Sequence, residues 1–203
     1  MTRIRQLFVL TAAAAVFGGC DDPAGPDGQA RVQVLLTDAP AEYFASAEVT
    51  ISRVYLQGGG EEDAAPVDLF NDAENPHVYD LLLLQDGVTA DLTGLVDVPD
   101  ADYGQLRLVV SSAVITLADG YTFSDGTTEK ELQIPSGAQS GIKVQLTEPV
   151  AAVEGSTTIV VVDFDVYENF VIQGNPDTPA GIHGILFTPV LRETDREVET
   201  DEG

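Results

Sequence analysis

From Ala30 onward the chain alternates apolar and polar residues with the period of a β-strand. Val32, Val34 and Leu36 alternate with Gln33, Leu35 and Thr37, which sets one apolar face against a mixed one. Val49 and Ile51 alternate with Thr50 and Ser52, and Leu106, Leu108 and Val110 with Arg107 and Val109. Ile142, Val144 and Leu146 do the same with Lys143 and Gln145. Ile159 to Val162 is apolar on both faces, which predicts a central strand. Ile185 and Phe187 close the series, and Pro189 predicts an edge or terminal position there. Asp86-Gly87, Asp119-Gly120 and Asp125-Gly126 predict hairpin turns, because Asp and Gly tolerate positive φ. Gly58-Gly59-Gly60 is a further break after Tyr55-Leu56. Asp80 to Leu84 fits one helical turn or a short strand, since four successive leucines favour neither. No window of a dozen residues sustains a 3.6 period with caps. Eight to ten strands over residues 30–192 therefore predict an all-β domain, an antiparallel β-sandwich.

The two ends follow other rules. Arg3 and Arg5 precede an apolar run from Leu7 to Phe17, too short for the ~20 residues a bilayer core requires. Gly18-Gly19-Cys20 follows, and this arrangement resembles the bacterial lipobox, which is cut before a diacylated cysteine. The alternative is an ordinary secretory leader with an incidental cysteine. On the lipobox reading residues 1–19 are a lipoprotein signal peptide, and Cys20 carries covalent lipid that inserts in a bilayer. Two or more acyl chains suffice for stable anchoring. Residues 20–29 (CDDPAGPDGQ) are then a flexible tether, rich in Pro, Gly and Asp. Glu193 to Gly203 is mostly acidic and predicts a disordered tail. The expected address is the extracytoplasmic side of a bacterial envelope membrane, inner or outer.

Composition narrows the partners. With 34 acidic and 9 basic side chains the net charge is −25, which opposes nucleic-acid binding and docking on anionic lipid through a basic patch. A single cysteine excludes an internal disulfide framework and a multi-cysteine zinc site. Hydrophobic residues make up 44 %, enough to bury a core.

Candidate chemistry is sparse. His77 lies in Asn75-Pro76-His77 and His183 in Gly181-Ile182-His183-Gly184, both read as loop or strand-end histidines. Gly137-Ala138-Gln139-Ser140-Gly141 has its serine in the wrong place for a nucleophile elbow, and no His-Glu-x-x-His occurs. Asp97, Asp100 and Asp102 bring three carboxylates within six residues, a candidate calcium site without EF-hand spacing. Glu61-Glu62-Asp63 is a second acidic loop. Asp163 and Asp165 flank Phe164 and should project to one face, so either could pair with Arg107 or Lys143 across neighbouring strands. The competing reading is a carboxylate pair for glycoside cleavage, disfavoured in a chain without Trp.

Several segments in order carry a family resemblance. They are Leu36-Thr37-Asp38-Ala39-Pro40, Val49-Thr50-Ile51-Ser52-Arg53-Val54, and Tyr79-Asp80-Leu81-Leu82 before Asp86-Gly87. Pro135-Ser136-Gly137, Ser140-Gly141-Ile142-Lys143 and Asp163-Phe164-Asp165-Val166 follow. The set resembles the domain of unknown function 4382 family over roughly residues 30–192. The resemblance implies an extracytoplasmic, often lipoprotein-borne β-sandwich of immunoglobulin-like or transthyretin-like type, and no established activity. The expected function is therefore non-catalytic binding or a structural role at the envelope, with a protein or glycan partner and no cofactor beyond the lipid. An envelope hydrolase with a site assembled in space, or a calcium-dependent binding module, is the alternative.

Overall fold

The alternating segments become strands in a computed structural model, which describes residues 29–38, 42–58, 65–136, 140–178 and 181–200. In the first half these are β1 (Gln29–Thr37), β2 (Phe44–Gln57), β3 (Val67–Asn71), β4 (His77–Asp80), β5 (Ala90–Asp91), β6 (Val96–Pro99) and β7 (Ala101–Tyr103). The second half supplies β8 (Gln105–Leu117), β9 (Glu129–Glu131), β10 (Ile142–Gln145), β11 (Val150–Ala152) and β12 (Ser156–Asp163). A short helix α1 (Val166–Asn169) then leads to β13 (Phe170–Asn175), β14 (Gly181–Phe187) and β15 (Leu191–Thr200). The protein is all-β and sandwich-like.

An eleven-stranded sheet runs β3-β2-β8-β10-β15-β12-β1-β5, with β4 on β2, β6 on β1 and β9 on β8. Its two halves join at β10, which pairs antiparallel with β8 and parallel with β15. Inward residues of both halves meet in one core: Val32, Val34 and Leu36 of β1, Ile51 and Val54 of β2, Leu106 and Leu108 of β8, Val160 and Val162 of β12. Burying each such side chain is worth about 1.5–3 kcal/mol. Asp80 to Leu84 combines both predicted forms, for Asp80 ends β4 and Leu81–Leu84 makes a single 3-10 turn. The Asp80 carboxylate holds that turn by accepting from the N–H groups of Ala47 and Leu82. Leu81 and Leu84 bury, and the Leu84 carbonyl accepts from the Asp38 N–H at the end of β1.

Three expectations change. The sheet is not wholly antiparallel, since β1 lies parallel to β12 and β10 to β15. Residues 193–200 are not a disordered tail but most of β15, which pairs antiparallel with β12 from Asp163↔Arg192 to Ser156↔Thr200. Its charges sit on a strand whose partner, Ile159 to Val162, is apolar, so local composition hides the pairing. The turn at Asp86 (φ 58) and Gly87 (φ 83) forms, but it joins the 3-10 turn to β5 and is not a hairpin. The turns at Gly120 and Gly126 do lie between the paired strands β8 and β9.

Candidate functional site

Where β1 and β12 end side by side, with Thr37 opposite Asp163, a polar cluster closes one end of the sandwich. Asp165 is the N-cap of α1, and its carboxylate accepts from the Glu168 N–H at 3.0 Å. Asp38 is 6 % exposed and reaches over from β1 to accept from the Val166 N–H at 2.8 Å. Asn169, wholly buried, donates from Nδ2 to the carbonyls of Asp165 (2.8 Å) and Val190 (3.1 Å), while its Oδ1 accepts from the Val190 N–H. Its backbone carbonyl accepts from the Thr188 N–H at 2.9 Å. One amide thus fixes the segment through Pro189 that leads into β15.

Asp163 is partly buried, and its Oδ1 has no hydrogen-bond partner among the described residues. Burial first, and then the charge of Asp165, pushes its carboxyl above the usual range, while Arg192 pulls the other way. Arg192 donates to Glu168 at 2.6 Å and lies in the field of Asp165 and Asp163. The cation whose field reaches the two aspartates is Arg192 of β15, itself paired with Glu168, and the expected pairing with Arg107 or Lys143 does not form. Those two residues instead face each other across β8 and β10. Arg107 donates to the Gln105 side chain and to the Gly141 carbonyl. Sequence spacing alone carries no strand order, so it offered Asp163 the wrong neighbour.

Beside this cluster runs a groove of about 660 Å³ between the chain before β2 and the α1–β13 segment. Tyr43, Phe44, Tyr167 and Phe170 give it aromatic walls, and Glu42, Glu168 and Asp177 give it negative charge. Tyr167 is 75 % exposed, and Tyr43 meets the Tyr121 ring edge-on at 5.4 Å. The charges of Asp177 and then Glu42 raise the Tyr43 pKa. Behind it, the rings of Phe164, Phe170 and Phe187 stack in the core. Sequence reading missed Tyr43, Tyr167, Glu168 and Arg192. The only local signal was Asp165-x-x-Glu168, the spacing of a capping box.

The remaining candidates lie elsewhere. Cys20 and Glu61-Glu62-Asp63 fall outside the described residues. Asp97 sits on β6 opposite Arg31, Asp102 on β7 opposite Ala151, and Asp100 between those strands, all three exposed. Among the described residues no group of three or more His, Cys, Asp or Glu is placed to hold a metal ion. His77 stacks on Phe70 with centroids 4.0 Å apart, and its Nδ1 lies 3.0 Å from the Tyr79 hydroxyl. The Tyr79 hydroxyl also donates to the Asp91 carbonyl, and burial pushes its pKa up to about 12. His183 is exposed on β14. Neither histidine lines the groove.

Fold and groove define an all-β, sandwich-like module with one aromatic and acidic recess at the end of its sheet. The chain belongs to the family described as a domain of unknown function (DUF4382), whose model matches residues 29–179. The match takes in the strands through β13 and ends before β14 and β15. No curated protein and no solved structure matches the chain.

Proposed function

We propose that the chain is a lipid-anchored envelope protein whose β-sandwich binds, without catalysis, a basic segment of a partner protein in the groove between Tyr43 and Tyr167. The observation that carries this reading is the groove's pairing of the exposed Tyr167 and half-buried Tyr43 rings with three carboxylates. Lys and Arg side chains are attracted both to ring faces and to carboxylates, each contact being worth roughly 0.5–2 kcal/mol. Tyrosines supply contact area at low entropic cost, which suits recognition. Membrane attachment is supported by Arg3 and Arg5, the apolar run to Phe17, and Cys20 after two glycines. The Pro- and Gly-rich residues 21–28 give the domain reach from that anchor.

Calorimetric titration of the full chain with an Arg- and Lys-rich peptide, its Glu-substituted counterpart and chitohexaose tests the reading. The basic peptide should bind, weaken with salt, and lose about tenfold in affinity on Tyr167→Ala. Binding of the acidic peptide, or of the oligosaccharide in preference to the basic peptide, would overturn it.

A further inference from the structure

A second recess lies where β8 and β10 meet the chain from Leu186 to Val190, apart from the groove and sharing none of its lining residues. On β8 and β10 Leu106, Leu108 and Val144 turn wholly inward, so Arg107 and Lys143 point outward, while Ile142 at the start of β10 keeps 8 % exposure and lines the recess. Tyr55, Arg107 and Lys143 occupy one row across β2, β8 and β10. Like charges directly opposite on neighbouring strands destabilise a sheet. A chain with 34 acidic residues has ample means of offsetting them. Elsewhere it does so: Arg53, Lys130, Arg192 and Arg196 each hold a carboxylate at 2.5–2.7 Å. Among the described residues, Arg107 and Lys143 hold none.

The surroundings of this cation pair are built to stay in place. The Tyr55 hydroxyl donates to the Ser140 carbonyl at 3.0 Å, and Arg107 donates to the Gly141 carbonyl at 3.2 Å. Gly141 has φ +100, and a Cβ there would meet the Tyr55 hydroxyl at 2.8 Å and the Arg107 Cβ at 3.2 Å. Two successive carbonyls are thus clamped against the sheet next to the cations. The recess measures about 630 Å³, and Pro135, Ile142, Leu186 and Pro189 give it apolar walls. Leu186 stays 49 % exposed although it is large and apolar.

We propose that this recess binds a small amphiphilic carboxylate, an apolar chain ending in a carboxylate group. The carboxylate lies between Arg107 and Lys143, and the apolar chain covers Ile142, Leu186 and Pro189. Charge complementarity selects the head, and the apolar walls select the body. An acyl chain and a peptide C-terminus both present this chemistry.

The test is an NMR titration of the full chain with octanoate, hexanoate, acetyl-leucyl-leucine, 1-octanol and inorganic phosphate. Octanoate or acetyl-leucyl-leucine should bind saturably and move the Gly141 amide and the Ile142 and Leu186 methyl signals. Whichever of the two binds tighter identifies the source. If octanoate binds, hexanoate should be about tenfold weaker, because two buried methylenes are lost. Lys143→Gln should weaken the better ligand about tenfold and, by relieving the repulsion with Arg107, leave the melting temperature without ligand no lower, while Lys143→Arg should restore binding. Octanol binding as well as octanoate would reduce the site to an apolar patch. Phosphate binding as well as either carboxylate would reduce it to a general anion site. Either result, silence from both carboxylates, or full affinity in Lys143→Gln overturns the proposal.

Discussion

Asn169 pins this end of the molecule from a fully buried position. Its amide satisfies the backbone of Asp165 and Val190, and no local pattern announces it, because its partners lie up to 21 residues away. Asn169→Ala leaves buried backbone groups without partners and should cost about 2–4 kcal/mol in urea-induced unfolding. Asp163 offers a test of opposite sign. Its carboxyl is raised by burial and by Asp165, so the folded chain holds that proton more tightly than the unfolded chain. The stability tied to this group is complete below the ordinary carboxyl range and is lost as pH rises through the raised pKa. Asp163→Asn should remove that loss and raise the melting temperature at pH 7, measured across pH 3 to 7; a lower melting temperature at pH 7 would contradict the assignment. The nearness of Asp163 and Asp165 could be read from the chain because it depends on spacing of two. The identity of their cation could not, because register between β12 and β15 is a long-range property.

At the scale of elements, the interior strands were legible and the ends were not. β1 and β8 declare themselves because each buries a face, and burial writes period two into the sequence, while β12 shows as an apolar run on both faces. β15 is hidden for the converse reason. After Leu191 its side chains are mostly polar and exposed, and it earns its place through backbone hydrogen bonds to β12. A chain ended at Arg192 removes that ladder and uncovers one edge of a strand whose core residues include Val160 and Val162. It should fail to fold, as judged by loss of dispersed amide signals, whereas a chain ended at Thr200 should fold. The parallel pairings were equally illegible, because alternation reports which face is buried and is silent on strand direction.

For the whole molecule, the charge of −25 is distributed unevenly. Carboxylates meet aromatic rings in one recess, and two cations without acidic partners among the described residues stand in another. The fold supplies two recesses of opposite sign, and the proposed anchor at Cys20 would hold both near a membrane. Incorporation of labelled palmitate into the expressed chain, lost in Cys20→Ala, is the expected result for that anchor; equal labelling of the variant would contradict it. The central claim is that the Tyr43–Tyr167 groove is a binding surface for a basic protein segment. Mapping amide chemical shifts of the full chain during titration with the Arg- and Lys-rich peptide tests it most directly. The account predicts saturable shifts concentrated at Tyr43, Tyr167, Val171 and Asp177; shifts confined to other surfaces, or none at saturating peptide, would contradict it.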